Sequence, residues 1–240
     1  MPLQRRHGFS LIELLIVVAI IGILASLLLP VFAAVRQKSR TAVCQSNLRQ
    51  IAAAFELYLQ DWDDCYPNTG NAFLWMGRFW RWPLNPYLAL QAEPVPGDPL
   101  RSVGNGANIL LCPSDSNAPE SYDSTSYAYS MAFYVAPTSI NAMTTFADTV
   151  AAPGPPCSTQ RESAVSYPSR KALVTEWLSN HESPHVGWND PKTAWEGGRN
   201  YLFADGHCKY LKARQIRPAN DDLPDINLTR DGIRGSDVDE

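Results

Sequence analysis

Hydrophobic residues are distributed very unevenly along the chain. From Leu14 to Val35 the sequence carries no charge and is apolar on every side of a helix, with Glu13 standing at its head. A helix needs roughly 20 apolar residues to cross a bilayer, and this run supplies them. After Arg36 the pattern changes without stopping. Cys44, Leu48, Ile51, Phe55 and Leu59 recur at three- and four-residue steps, one greasy stripe, while Arg49, Gln50, Glu56 and Gln60 lie on other faces. One long helix is therefore expected from about Phe9 to about Leu59. Pro30 removes a backbone hydrogen bond inside it and predicts a kink or local melting. The helix should end at Asp61-Trp62-Asp63-Asp64, because acidic residues do not suit a helix C-terminus.

Beyond the helix, short strands and long loops are expected. Residues 72–92 are dense in aromatics, Trp75 and Trp80 among them, and read as buried packing rather than a platform for sugar. Pro94 to Gly106 reads as loop. Ile109–Cys112, Ser124–Met131 and Lys171–Trp177 read as strands, and residues 179–198 as a polar surface loop. Gly197–Leu211 is the clearest hairpin. Its Asp205-Gly206 favours a tight turn with positive φ at both central residues. From Arg217 onward apolar residues are few, and 217–240 reads as a loosely ordered acidic tail.

Composition narrows the function. At 240 residues the chain holds one membrane helix and one globular domain. The formal charge is −4, with no basic run beyond Arg36, Lys38 and Arg40, so no nucleic-acid partner is expected. Arg5, Arg6 and His7 precede the apolar run, but Arg36, Lys38 and Arg40 follow it, so charge alone does not set the topology. A secretory signal peptide is the competing reading, with the Ala33-Ala34 region as its cleavage site. Cys44, Cys65, Cys112, Cys157 and Cys208 are dispersed, with no C-x-x-C pair, which fits neither a zinc ribbon nor a redox motif. Spacing does not set their pairing. A bridge from Cys112 to Cys44 or Cys65, tying the domain to its helix, is weighed against free thiols throughout.

Candidate chemistry is sparse. His181 and His185 have the four-residue spacing of a metal pair, but Pro184 argues against a helix there. Surface histidines are the better reading, with no catalytic residue and no metal site. The carboxylates of Asp61, Asp63 and Asp64 offer oxygen ligands that suit calcium. They lack the EF-hand pattern, so a solvated acidic turn is preferred and no cofactor is expected.

A carboxylate entering lipid costs about 2.5–3.5 kcal/mol at the helix centre and tends to mark function. Gly8-Phe9-Ser10-Leu11-Ile12-Glu13 resembles the leader of type IV pilins and type II secretion pseudopilins. Three further segments look like the pseudopilin-like proteins abundant in planctomycetes. They are Cys44–Ile51 followed by Tyr58–Asp61, Leu111–Asp115 with Ser126–Tyr129, and Gly198–Gly206. That resemblance implies an α+β pilin-like fold, a long N-terminal helix packed on a small antiparallel sheet with long loops. It implies a leader at 1–8, a transmembrane and assembly segment at 9–35 and a globular domain at 36–216. It further implies cleavage after Gly8 by a prepilin peptidase, N-methylation of Phe9, and Glu13 pairing with the terminal amine of a neighbouring subunit. The subunit would then assemble with like subunits in a pilus or pseudopilus, from an inner membrane with the domain outside. The alternative is a membrane-anchored binding module or hydrolase using loops 72–92 and 179–198. One departure stands out: the family signature places a histidine before Asp-Gly with nine residues between them, and here that position is Trp195.

Overall fold

A computed structural model describes residues 11–88, 90, 93–95, 98–103, 108–116, 125–182 and 185–239. The chain divides into two compact units, Met1–Ser39 and Arg40–Glu240. Helix α1 (Leu11–Asp61) begins in the first and ends in the second, and it runs unbroken through Pro30. The expected local melting is therefore absent. The missing proline N–H costs one hydrogen bond without ending the helix.

In the second unit the stripe read from the sequence is buried: Cys44, Leu48, Ile51 and Phe55 are at most 2% exposed, and Leu59 is 8%. α1 closes at Asp61, and the chain turns through Asp63 and Asp64, both with left-handed backbone. A four-stranded antiparallel sheet packs beside it in the order β3-β4-β5-β6: β3 (Tyr127–Tyr129), β4 (Ala172–Glu176), β5 (Gly198–Phe203) and β6 (Cys208–Lys212). The fold is thus α+β with a pilin-like long helix and small sheet, as expected. Alternate residues of β5 face two cores. Leu202 joins the large cluster with α1, while Tyr201 and Phe203 join a second cluster with Ala172, Leu211, Ile216 and Ile226.

Several local expectations are corrected. Residues Glu93–Val95 (β1) and Asp98–Val103 (β2) form an antiparallel pair rather than a loop. Asn108–Leu110 is a turn of 3-10 helix rather than the start of a strand. The β5–β6 connection is a three-residue loop. Phe203 N–H donates to His207 O at 2.9 Å, Gly206 N–H donates to Phe203 O at 2.9 Å, and only Gly206 (φ +83°) is left-handed. Asp205 keeps negative φ because the extra residue lets a single glycine reverse the chain.

The largest correction concerns 217–240. Ala219, Ile226, Leu228 and Ile233 are at most 2% exposed. Side chains and backbone stitch the segment down over long separations. Ser130 Oγ donates to Ile226 O at 2.7 Å, Met131 N–H to Asn227 Oδ1 at 3.0 Å, and Asn220 Nδ2 to Ile140 O at 2.9 Å. Lys171 Nζ meets Asp237 Oδ2 at 3.0 Å, both buried. A few apolar residues suffice here because Asn220, Asn227 and Asp237 between and beside them bond to the domain.

Candidate functional site

The first unit is dominated by apolar surface. Every large hydrophobic residue of α1 from Leu11 to Val35 is between 48% and 83% exposed. Water cannot satisfy such a surface, so lipid or neighbouring helices must cover it. The stretch Leu14–Val35 is about 33 Å long at 1.5 Å per residue, enough for the hydrocarbon core. Among the described residues α1 is the one helix long and apolar enough to cross a membrane. Glu13 sits in its first turn, exposed, where the helix dipole favours a negative charge. Gly8 and Phe9 lie outside the described residues.

The structure joins Cys44 of α1 to Cys112 in a disulfide, with Cα atoms 5.1 Å apart. Cys65, the other candidate partner, is a free thiol, as are Cys157 and Cys208. The bridge encloses a long loop and holds the α1 stripe against the segment after Asn108–Leu110. Asn47 Nδ2 reinforces it, donating to Leu111 O at 3.0 Å.

The aromatic-rich segment turns its first two tryptophans inward. Trp75 and Trp80 are buried, and Trp80 Nε1 donates to Tyr127 O at 3.1 Å. Trp75 packs on Trp177, which stacks on Trp188 at 4.8 Å. The acidic turn is exposed. Asp61 Oδ2 accepts from Tyr87 Oη at 2.8 Å, and Arg161 Nη1 donates to the backbone oxygen of Asp63 at 2.7 Å.

His181 corrects the surface-histidine reading. It is only 7% exposed, with Nε2 2.9 Å from Glu176 Oε1 and Nδ1 3.1 Å from Thr41 Oγ1. Asn200 Nδ2 lies 3.0 Å from the same Nε2, and Asn200 N–H donates to Glu176 Oε2 at 2.8 Å. Glu176, His181 and Asn200 come from β4, the loop after it and β5, so no local spacing announces them. The one available signal is a glutamate at the end of the mostly apolar strand β4. His185 is exposed, as read. His207 stacks on Phe203 at 4.4 Å and contacts Asp205 Oδ1 at 2.6 Å, on the outside of the hairpin turn. Trp195 borders an open groove of about 920 Å³ with Phe203, His207 and Leu211.

An exposed apolar helix and a small α+β domain define a pilin-like architecture. Residues 3–29 match the family model described as the prokaryotic N-terminal methylation motif. Type II secretion system core protein G of Aeromonas hydrophila is 33% identical over 115 residues, covering 48% of this chain and 70% of that protein. The corresponding protein of Pseudomonas aeruginosa is 39% identical over 69 residues, 28% of this chain and 48% of its own length. The type IV major pilin protein PilA of Myxococcus xanthus is 41% identical over 67 residues, 28% of this chain and 30% of its own length. The chain thus spans about half or less of those last two relatives, and no solved structure matches it. The chain belongs to the family of the type II secretion system core G proteins.

Proposed function

We propose that this chain is a structural subunit of a type IV pilus or a type II secretion-type pseudopilus, and not an enzyme. The observation that carries the reading is the uniformly exposed apolar half of α1, headed by Glu13, in a chain of this family. A prepilin peptidase would cut after Gly8, removing residues 1–8, and the new terminal Phe9 would be N-methylated. Residues 9–35 would hold the subunit in the inner membrane, N-terminus inward and domain outward. The same residues would pack against like helices in the filament. Glu13 would then neutralise the terminal amine of a neighbouring Phe9, so that a carboxylate costly in lipid finds its partner only in the assembly. A free subunit in the membrane keeps that cost, which biases subunits toward the correct axial register.

The segment around Asp205-Gly206 we read as a variant of the H-X9-DG signature with Trp195 at the histidine position. Loss of the histidine beside a retained turn favours a structural role for the signature, because β5 and β6 complete the sheet. The test of the assembly reading is Glu13→Ala in the native host. The variant should insert in the membrane and be processed normally, yet yield no filaments by electron microscopy. Filaments in normal number would refute the role of Glu13.

A further inference from the structure

A second cluster, independent of the assembly reading, lies where α1 meets the sheet. Cys44, Cys112, Glu176 and His181 are all buried, and one potential ligand atom from each lies within 4.8 Å of every other. Among the described residues no other group of metal-binding side chains converges in this way. The donor set is two sulfurs, one imidazole nitrogen and one carboxylate oxygen, which suits zinc.

The distances fit as well. Cys112 Sγ is 3.6 Å from His181 Nε2, and that nitrogen is 2.9 Å from Glu176 Oε1. A tetrahedral zinc with ordinary bond lengths asks for about 3.5 Å and about 3.3 Å across those edges. The two sulfurs, now bonded, would have to separate to about 3.8 Å. The outer contacts are those that hold metal ligands in place. In the zinc-bound state Thr41 Oγ1 would accept the Nδ1 proton of His181 at 3.1 Å, freeing Nε2 to bind the metal. Asn200 holds both oxygens of Glu176, through its backbone N–H at 2.8 Å and Nδ2 at 3.1 Å, while its own buried Oδ1 has no partner.

We propose that Cys44, Cys112, Glu176 and His181 form a zinc site in the reduced domain, and that disulfide formation expels the metal. A dithiol reductant breaks the S–S bond by supplying two electrons and two protons, and leaves as its own disulfide. Zinc then displaces the two thiol protons and forms two Zn–S bonds. In the reverse direction a disulfide oxidant takes two electrons from the thiolates and two protons from water, leaves as a dithiol, and zinc is released. The two thiolate charges offset the two charges of Zn²⁺, so replacing the disulfide by the metal and its thiolates adds no net charge to the interior.

The experiment uses the full chain in detergent, reduced with a phosphine under anaerobic conditions and titrated with cobalt(II). One cobalt per chain should bind with tetrahedral visible bands and a thiolate-to-cobalt charge-transfer band, and zinc should displace it. The bands should persist when Cys65, Cys157 and Cys208 are all replaced by serine. They should vanish in Cys44→Ser and in the oxidised chain, and the affinity should fall about ten-fold or more in His181→Ala. If reduction unfolds the domain, zinc should restore its circular dichroism. Absence of the bands in the folded reduced chain, their survival in Cys44→Ser, or failure of zinc to refold an unfolded reduced chain would overturn the proposal.

Discussion

Replacing Asp237 by alanine should loosen the C-terminal segment and weaken the whole domain. The Asp237 carboxylate meets the Lys171 ammonium at 3.0 Å and accepts the Ala172 N–H at 2.7 Å, next to Thr229 Oγ1. Lys171 is fully buried, so the substitution strands a positive charge away from water. Breaking a buried pair from one side costs about 3–5 kcal/mol. An orphaned N–H costs about 1–3 kcal/mol, and the two overlap because they share one carboxylate. A net loss of about 4 kcal/mol is a large fraction of the ~5–15 kcal/mol that holds an ordinary domain together. Burial already pushes the Lys171 pKa down, opposed by Asp237. Without Asp237 it falls further, so the lysine can relieve the penalty by losing its proton, and the loss of stability should be larger at pH 6 than at pH 9. Urea unfolding of the full chain in detergent, followed by tryptophan fluorescence, reads both quantities. Lys171→Met combined with Asp237→Asn removes the charges together and keeps an acceptor for Ala172. It should recover to within about 2 kcal/mol of the parent. A loss below about 1 kcal/mol in Asp237→Ala would mean that the segment is not clamped to the sheet, and the packing argument would fall.

Asp225 should make stability fall with rising pH. Burial, with Asp221 and then Asp237 nearby, holds its carboxyl up at about 8, while Asn227 N–H and Lys171 pull the other way. The unfolded chain releases this proton near 3.8 and the folded chain near 8, so between those values the folded state binds more protons and loses stability as pH rises. Asp225→Asn should flatten that part of the profile in urea titrations at several pH values; an unchanged slope would exclude Asp225 as its source. Gly198→Ala tests the β5–β6 pair. A Cβ there would sit 2.5 Å from Tyr210 Oη and 3.0 Å from Leu211 O, so thermal unfolding should show a loss of about 1–3 kcal/mol, and a neutral result would mean that the hairpin is more pliable than its geometry indicates.

What the sequence revealed follows from the range of the interactions. The stripe Cys44, Leu48, Ile51, Phe55 and Leu59 is local and periodic, so its burial could be read directly. The β5–β6 hairpin was equally plain from Asp205-Gly206, although the single left-handed residue, Gly206, was not. Residues 217–239 were misread because Leu223, Ile226, Leu228 and Ile233 show no period. Their order comes from partners some 80 to 100 residues away, such as Ser130 and Ile140. The same limit hid His181. The partners of this histidine are Glu176, Thr41, Asn200 and Cys112, drawn together only by the fold. The β1–β2 pair was obscured by Pro94 and Pro99, which ordinarily argue against strand interior but are tolerated where a ladder hydrogen bond is not required.

The central claim is that the exposed apolar half of α1 belongs to a processed, assembling subunit. Mass spectrometry of the N-terminal peptide from protein isolated from its own membranes tests this most directly. The account predicts a chain that begins at Phe9, carries one added methyl on its terminal amine, and reverts to the full leader when Gly8→Ala blocks cleavage. A mature chain that still begins at Met1, or one cut near Ala33-Ala34 like an ordinary secreted protein, would contradict it.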